Sequence, residues 1–409
     1  MDPRTRRLIL AAVMVGLAAR LVFGLFYWVG KPLTHDEREY LALARSVASG
    51  RGFTYDDSHQ TGTAQQFGRA PGYPLFIAVV GAPGSEVTST PTRLKIAQSL
   101  VGACVVWLIG LIAWRSLGPR AGVLAAAGAA VYPPLVWMCA YVLSETLFSA
   151  IALSTVLVLD LAMHRARTHR AGGAGTLAAG LLAGAATLVR PVMLFFLPLA
   201  LLWIVRRNRL ALAVAFLAAT LAVILPWTAR NYRVYDRFVL VASEGGVTFW
   251  TGNHPLARGD GDLAANPALK RAELEFRRAH PGLTAEQLEP LYYRDALQHI
   301  VRHPGWWMTL LLRKAFYTIV PAGPSYTLHS WRYLAASVAS YLLLLPFAVG
   351  GVRRLWHAPL RPTALLLAAA SVVIAGLLYF PQERFRIPVL DPTMIVCAAA
   401  CFAGRPDRS

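Results

Sequence analysis

The sequence has few charged residues and few cysteines for its length. Only 15% of its 409 residues are charged, whereas 56% are hydrophobic. The apolar residues fall in several runs long enough to cross a bilayer, which excludes a soluble globular protein. The four cysteines lie in or beside these runs and lack the spacing of metal ligands, so neither a disulfide framework nor a cysteine metal site is expected.

Other features are missing as well. No internal repeat and no low-complexity linker occurs, so we predict one membrane domain over residues 1–409. A transporter or flippase would carry paired inverted repeats and charged residues at mid-span, and neither is found. That class is therefore the weaker alternative. The apolar run at 8–30 lacks a small-residue cleavage site, which favours a retained span over a signal peptide.

Acidic residues are scarce, and they are unevenly placed. The net charge is +19, with 21 acidic residues against 40 basic ones. Arginine clusters recur at every second loop, and nearly all carboxylates lie in the alternate loops, which indicates membrane topology rather than nucleic-acid binding. The positive-inside rule then places both termini in the cytoplasm. The basic clusters are Arg4–Arg7, Arg115–Arg120, Arg165–Arg170, Arg206–Arg209, Arg353–Arg361 and Arg405–Arg408.

These patterns predict an all-α polytopic membrane protein with about ten transmembrane helices. Two of the runs are short and meet at Arg190-Pro191. If they formed one kinked helix, the basic clusters Arg165–Arg170 and Arg206–Arg209 would lie on opposite sides of the membrane. This would break the positive-inside rule, so we predict two separate helices. The predicted spans are 8–30, 93–114, 121–138, 142–163, 175–189, 191–205, 209–226, 332–352, 362–380 and 388–404.

Two outer segments, about 31–92 and 227–331, are too long to be turns. The first begins with Thr34-His-Asp-Glu-Arg-Glu-Tyr40, followed by a short helix that stops at Gly50. The second contains polar helical stretches at 266–279 and 285–303. Paired tryptophans and a basic pair at 303–317 are typical of an interfacial helix. Both segments are therefore expected to carry juxtamembrane helices on the periplasmic side.

Short motifs then occur in a fixed order along the chain. This order resembles that of the polytopic C-type glycosyltransferases that use polyprenyl-phosphate sugars, such as protein O-mannosyltransferases and the aminoarabinose transferase of lipid A. The chain has no large soluble C-terminal domain, so no acceptor is transferred from these families. The motifs are Asp36-Glu37, Gly50-Arg-Gly-Phe53, Arg69-Ala-Pro-Gly-Tyr-Pro74, Leu143-Ser-Glu-Thr146, Leu188-Val-Arg-Pro191, Trp250-Thr-Gly-Asn-His-Pro255 and Glu383-Arg-Phe-Arg-Ile-Pro388.

Three carboxylates are the catalytic candidates. The resemblance implies that Asp36 is the base that takes the acceptor's proton, and a single base facing the leaving group implies inversion. Glu37 has either a direct role or only shapes the loop. Glu145 lies at a membrane edge, where an unpaired carboxylate is costly. It either positions the acceptor or complements the dipole of its own helix.

Binding candidates come from the outer face. Guanidinium and ammonium groups suit the carrier phosphate, although interfacial basic residues also contact lipid head groups without specificity. Arg190 serves the phosphate or pairs with Asp391. Asn253 and His254, in a glycine-containing stretch, suit sugar hydroxyls, and a plain turn contains the same residues. The substrate-binding candidates are Arg69, Tyr73, Arg190, Asn253, His254, Lys314, Arg384 and Arg386.

The resemblance implies a glycosyltransferase of the bacterial inner membrane whose active site faces the periplasm. Its partners are a polyprenyl-phosphate sugar donor, the lipid bilayer and an unidentified acceptor. A polysaccharide polymerase or ligase, which uses a diphosphate-linked donor, is the alternative. No cofactor is predicted. A divalent cation held by a carboxylate with His35 or His59 is conceivable, but solvent-facing histidines explain these residues more simply.

Overall fold

A computed structural model describes residues 1–54, 68–81, 84, 87–168, 172–260, 266–320, 331–358 and 360–403. Within these ranges the chain is helical, without a strand. The all-α class predicted from the sequence is therefore confirmed. The histidine His59, considered above for a cation, lies outside the described residues.

The chain forms eighteen α-helices across these ranges. The first continues as a π-helix to Tyr27, and short 3-10 turns adjoin α6 and α9. In order they are α1 (Pro3–Val22), α2 (His35–Ala48), α3 (Gly72–Gly81), α4 (Thr92–Leu117), α5 (Pro119–Val131), α6 (Pro133–Trp137), α7 (Glu145–Thr168), α8 (Gly173–Val189), α9 (Phe196–Val205), α10 (Leu210–Tyr235), α11 (Gly245–Asn253), α12 (Pro267–Arg278), α13 (Ala285–Arg302), α14 (Pro304–Ile319), α15 (Trp331–Trp356), α16 (Thr363–Leu378), α17 (Glu383–Arg386) and α18 (Leu390–Cys401).

Each of the ten predicted spans coincides with a helix or a pair of consecutive helices. Among the described residues, five helices are long and apolar enough to cross a membrane, namely α1 with its π-turn, α4, α7, α10 and α15. The bent pair formed by 119–131 and 133–140 raises the number to six. The remaining predicted spans correspond to shorter apolar helices at 173–189, 191–205, 363–378 and 390–401. The polytopic membrane fold is thus confirmed.

Small residues allow the helices of the bundle to pack closely. A Cβ at Gly180 of α8 would lie 2.5 Å from the carbonyl oxygen of Phe216 in α10, and one at Gly351 of α15 would lie 1.7 Å from that of Cys397 in α18. Backbones that approach this closely gain van der Waals contact. Such contact holds helices together in a membrane, where the hydrophobic effect does not drive helices to associate. The α8–α10 and α15–α18 pairs are among the most extensive contacts of the bundle.

The helix is interrupted at Arg190, as predicted. Its backbone is extended, with φ −145° and ψ 119°, and the proline that follows cannot donate to the preceding turn. The guanidinium Nη2 of Arg209 donates to the carbonyl of Ala166 over 2.6 Å, so the basic clusters on either side of the α8–α9 pair meet on one side of the bundle. The single-helix alternative is therefore excluded.

The described helices of the two long segments lie where the sequence predicts them. Helices α12, α13 and α14 match the polar and interfacial stretches within two residues, and α2 begins one residue before Asp36. A second, small core forms where α11, α12 and α13 meet, separate from that of the bundle. Its buried members are Trp250, Leu269, Leu288, Tyr292 and Ala296.

Candidate active site

Helix α2 is fixed at its first turn by a capping box. The Thr34 side chain accepts from the Glu37 backbone amide, and Glu37 Oε2 accepts from the Thr34 amide over 2.7 Å. Glu37 Oε1 accepts from the backbone amide of Val142, three residues before α7, over 2.9 Å. Both oxygens of this buried carboxylate therefore bind backbone, and its contacts support a positioning role, in which Glu37 ties α2 to the start of α7.

Asp36 lies on the face of α2 that meets two arginines. Its Oδ1 is 2.9 Å from Arg69 Nη2, and its Oδ2 is 2.9 Å from Arg384 Nη2. Arg69 also contacts Glu39 and, over 3.1 Å, Glu244 at the N-terminal cap of α11. We call these five residues the Asp36 cluster. It joins α2, the segment before α3, α11 and α17.

The electrostatics of the cluster depend on its arginines. Burial alone would raise the pKa of Asp36, but Arg384 and Arg69 outweigh it and hold the pKa well below the ordinary value. Burial raises the pKa of Glu244 above its ordinary value despite its contact with Arg69. The two arginines therefore favour the ionised form of Asp36, and its side chain retains 24% exposure through which a substrate can reach it.

A second ion pair lies beside the cluster. Glu145, the first residue of α7, contacts Arg190 Nη1 over 2.6 Å, and the same nitrogen donates to Ser144 over 3.2 Å. The ring of Phe385 lies 5.2 Å from both the Arg190 and the Arg384 guanidinium carbons, so both arginines pack against this ring. The proposed alternative pairing of Arg190 with Asp391 is wrong, because Arg190 is engaged by Glu145.

Tyr73 supports the cluster from within the protein. It is fully buried, and its hydroxyl donates to Gln98 Oε1 over 2.8 Å. Its ring packs edge-on against Tyr40, over which Arg69 lies at 5.3 Å. These contacts give Tyr73 a role in holding Arg69 in place, rather than the substrate contact predicted from the sequence.

Asn253 and Lys314 form a separate buried pair at the far end of α11. Since α11 carries Glu244 at its cap and Asn253 at its last residue, the pair lies ~13 Å from the cluster at 1.5 Å per residue. Asn253 Oδ1 accepts from Lys314 Nζ and Trp307 Nε1, while its Nδ2 donates to two carbonyls. Lys314 is fully buried, and burial lowers its pKa to about 7. Neither side chain is available to a sugar or a phosphate in this arrangement.

The other residues of the glycine-containing stretch are likewise used in packing. The His254 ring packs at a tilt against Trp250 with ring centroids 4.2 Å apart, its Nδ1 accepts from the Leu256 amide, and burial lowers its pKa to about 4. A Cβ at Gly252 would lie 2.0 Å from the carbonyl oxygen of Tyr379. The close approach that this glycine permits is therefore to another helix end and not to a ligand.

Arg386 faces away from Asp36, although only one residue, Phe385, separates it from Arg384. It is 4% exposed, its Nε lies 3.1 Å from Asp391, and its guanidinium stacks 4.0 Å from the Tyr341 ring. Tyr132 donates to the other oxygen of Asp391. This buried arrangement joins α15, α17 and α18, so the contacts of Arg386 do not support the phosphate-binding role predicted for it.

Two cluster residues received no role from the sequence alone. Glu39 lies three residues after Asp36 on the same helix, and i, i+3 spacing places both carboxylates on one face. Glu244 lies directly before α11, and this position at a helix N-terminus is the signal in the sequence that could have identified it. Among the described residues, no group of three or more His, Cys, Asp or Glu side chains could hold a metal ion.

One family model matches part of the chain. Residues 70–229 match the family described as dolichyl-phosphate-mannose-protein mannosyltransferase, a stretch that contains Glu145 and Arg190 but not Asp36 or Arg384. No curated protein matches the chain in a sequence search.

Similar solved structures include an oligosaccharyltransferase from Archaeoglobus fulgidus tethered with an acceptor peptide, at 16% identity and TM-score 0.59 over 98% of this chain and 49% of that one. The oligosaccharyltransferase AglB of that organism, in complex with an inhibitory peptide and a dolichol-phosphate, is 15% identical with a TM-score of 0.57, over 98% of this chain and 50% of that one. ArnT from Cupriavidus metallidurans bound to undecaprenyl phosphate is 14% identical with a TM-score of 0.43, over 97% of this chain and 77% of that one.

The chain spans about half the length of the two archaeal structures, and its fold matches theirs across nearly all of its own length. The resemblance to the polytopic C-type glycosyltransferases that the motif order predicted is confirmed by the family match and by this fold.

Proposed function

We propose that this protein is an inverting glycosyltransferase of the bacterial inner membrane, which moves a monosaccharide from a polyprenyl-phosphate carrier to a periplasmic or membrane-bound acceptor. One observation carries the proposal: the Asp36 carboxylate lies between the guanidinium groups of Arg69 and Arg384 at the end of an apolar helical bundle. Transfer from a lipid phosphate requires a base next to cations that stabilise the departing phosphate. The dolichol-phosphate bound to the structurally similar AglB supports the same donor class here.

In the proposed reaction, Asp36 acts as the base of a direct displacement. The acceptor hydroxyl or amine gives its proton to Asp36 while its oxygen or nitrogen bonds to the anomeric carbon of the sugar. The bond from that carbon to the phosphate oxygen breaks, and its electron pair leaves with the polyprenyl phosphate. Attack from the face opposite the leaving group inverts the configuration, and Asp36 afterwards passes its proton to water.

Arg384 is the best candidate for the donor phosphate. Its side chain is 27% exposed and bonds one carboxylate, whereas Arg69 is shared among three. A phosphate that draws Arg384 away from Asp36 removes one of the two cations that depress the pKa of Asp36, and it adds a negative charge nearby. Both changes raise this pKa, so the carboxylate becomes a stronger base when the donor is bound.

Arg69 supplies the charge that a metal ion would otherwise provide. Its guanidinium contacts Asp36, Glu39 and Glu244, and Tyr40 lies beneath it. A planar cation with five donors can hold three carboxylates together and limit their mutual repulsion. We therefore propose that transfer requires no divalent cation, and we expect the rate to be unchanged by a chelator such as EDTA. A rate that falls with EDTA and recovers with one added divalent ion would overturn this part of the proposal.

A donor panel tests the central proposal. The purified protein is incubated with polyprenyl phosphates carrying different hexoses and pentoses, and release of the free lipid phosphate is followed. We expect release from one donor, and a product whose anomeric configuration is opposite to that of the donor. The matched control is Asp36→Asn, which reports release that does not depend on the base. Release from a diphosphate-linked donor alone would instead indicate a polymerase or ligase, and retention of configuration would exclude direct displacement.

A further inference from the structure

The bundle has a second polar site at the opposite end of α7. Glu145 begins this helix and Arg167 lies 22 residues later, so the two ends are ~33 Å apart at 1.5 Å per residue. A cavity of about 460 Å³ opens there, between the ends of α4, α7 and α9 and the segment that links α15 to α16. We call it the basic cavity. Its charged lining consists of Asp160, Arg115, Arg167, Arg207, Arg209 and Arg361, beside two histidines.

The lining carries a large excess of positive charge. Among the described residues, no carboxylate lies within salt-bridge distance of any of the five arginines. The single acidic residue, Asp160, accepts the backbone amide of Ala364 at the start of α16 over 3.1 Å. Arg209 donates to the Ala166 carbonyl, and Arg361 stacks 4.8 Å from the Trp356 ring. The guanidinium groups of Arg115, Arg167 and Arg207 make no hydrogen bond within the described part of the chain. Several guanidinium groups are thus available to an anion.

A neutral hydrogen-bond donor in the same cavity also suits an anionic ligand. Trp203 lines the cavity, and its indole Nε1 is buried without a hydrogen-bond partner among the residues that the structure describes. A buried indole N–H ordinarily binds an acceptor, because leaving it unpaired costs free energy. An oxygen of a bound anion would satisfy this donor and the arginines together.

Membrane topology alone does not account for the arrangement. The positive-inside rule requires basic residues in these loops, and Arg120, Arg206 and Arg353 meet it without lining the cavity. The rule does not require five arginines from four separate segments of the chain to converge on one cavity, or a buried indole N–H to lie among them. The convergence therefore indicates a binding site.

We propose that the basic cavity binds a phosphate-bearing anion, namely the head group of an acidic phospholipid in the leaflet that surrounds it. Guanidinium forks match phosphate oxygens, and basic pockets between transmembrane helices suit such head groups. The volume lies in the range of ~300–1,000 Å³ that is usual for small-ligand sites. The exposed Trp356 at the rim, 55% accessible, suits a membrane–water interface. The bound lipid would brace the ends of α7 and α16, both of which extend towards the Asp36 cluster.

Thermal unfolding of the purified full chain in neutral detergent tests the proposal. We expect added phosphatidylglycerol to raise the melting temperature, because a ligand that binds only the folded state stabilises it, and phosphatidylcholine to have little effect. The double variant Arg167→Gln/Arg207→Gln should lose the response. The matched control Arg120→Gln/Arg206→Gln removes two charges from neighbouring positions outside the cavity and should keep it.

Further arms identify the source of the phosphate and guard against a variant that does not fold. Inorganic phosphate should leave the melting temperature unchanged if the ligand is a lipid, and stabilisation as large as that by phosphatidylglycerol would overturn the lipid assignment. Trp203→Phe keeps the ring, loses the N–H and should weaken the response to phosphatidylglycerol. Equal responses of the parent protein to both lipids, or equal losses in the two double variants, would overturn the site itself.

Discussion

The Asp36 carboxylate is bound by two guanidinium groups, and this determines what kind of base it is. In the resting protein, Arg384 and Arg69 hold its pKa well below the ordinary value against the effect of burial. Such a carboxylate accepts a proton poorly, because general-base catalysis is most effective when the pKa lies near the working pH. In the proposed mechanism, the donor phosphate must therefore draw Arg384 away before Asp36 becomes an effective base.

Replacing Asp36 by Asn tests its role in turnover. The amide is almost isosteric but cannot take the acceptor's proton, so we expect kcat to fall by ~10²–10⁴-fold with donor binding nearly retained. The measurement is the rate of lipid-phosphate release by purified variants with matched melting temperatures. A near-normal rate for Asp36→Asn would remove Asp36 from the mechanism.

Two neighbouring carboxylates serve as comparisons in the same assay. Glu37→Gln puts an amide NH₂ in place of an oxygen that accepts a backbone amide, so it should cost stability of ~1–3 kcal/mol rather than the chemical step. Glu145→Gln loses the ion pair with Arg190 and should give an intermediate rate loss, seen mainly in the dependence on acceptor concentration. An inactive but stable Glu37→Gln variant would mean that the base is Glu37.

The two arginines of α17 should behave differently on substitution. Arg384→Ala removes a partly exposed guanidinium next to Asp36, so we expect donor KM to rise by roughly tenfold or more, as for loss of a charge-assisted hydrogen bond. Arg386→Ala leaves the fully buried Asp391 without its cation, so we expect it to lose stability by about 3–5 kcal/mol. Donor kinetics of whatever Arg386→Ala protein folds should be normal. Similar donor KM effects of both substitutions would contradict this division of roles.

At the scale of single helices, α14 is joined to α11 and to the end of α16 by one buried lysine. Lys314 Nζ donates to Asn253 Oδ1 over 3.0 Å and to the Leu377 carbonyl over 3.1 Å. No acidic residue is among the hydrogen-bond or salt-bridge partners described for it. Burial lowers the pKa of Lys314 to about 7, so protonation opposes this packing.

The lowered pKa of Lys314 predicts how stability depends on pH. The ordinary value of 10.5 applies in the unfolded chain, so between about pH 7 and that value the unfolded state binds more protons. Stability should therefore rise with pH from about pH 7 to about pH 9, with a slope of up to about 1.4 kcal/mol per pH unit from this group. Lys314→Met should flatten the slope in urea unfolding curves recorded across this range.

The control for this prediction is a lysine on a neighbouring helix. Lys270 of α12 is exposed, so Lys270→Met should leave the slope as it is in the parent protein. If Lys314→Met and Lys270→Met change the slope equally, or if neither does, the pH dependence comes from other groups.

At the scale of the whole molecule, the acidic and basic clusters lie at opposite ends of the bundle. The Asp36 cluster and the Glu145–Arg190 pair are at the start of α7, and the basic cavity is at its end. The positive-inside rule then predicts that the cavity faces the cytoplasm and the cluster faces outwards. The second outer segment, with α12 and α13, should accordingly be accessible from the periplasm.

Cysteine labelling tests this orientation. Ala279→Cys, at the exposed end of α12, should react with an impermeant thiol reagent in intact spheroplasts. Arg206→Cys, in the exposed turn after α9, should react only after lysis. The parent protein gives the background from its own four cysteines. The reverse pattern of labelling would invert the proposed topology.

The sequence by itself determined the helical bundle, because the cost of unpaired backbone groups in lipid leaves few alternatives for long apolar runs. The charge asymmetry between loops showed that two helices, rather than one kinked helix, meet at Arg190. Capping and periodic signals located α2, α12, α13 and α14. The sequence also identified the motifs that contain Asp36, Glu145 and Arg384. All of these signals are local, since they depend on residues within a few turns of one another.

Only the tertiary structure decided which of the candidates meet. Arg384 and Arg386 lie two positions apart in one motif, yet the short α17 directs the first to Asp36 and the second to the buried Asp391. Asn253 and Lys314 have the chemistry of ligand-binding residues, but the packing of α11 against α14 uses their polar atoms within the protein. Convergence of the basic loops on one cavity was also not predictable, because it depends on how helices distant in sequence end beside one another. Such pairings are set by packing between helices, for which a single sequence carries no local signal.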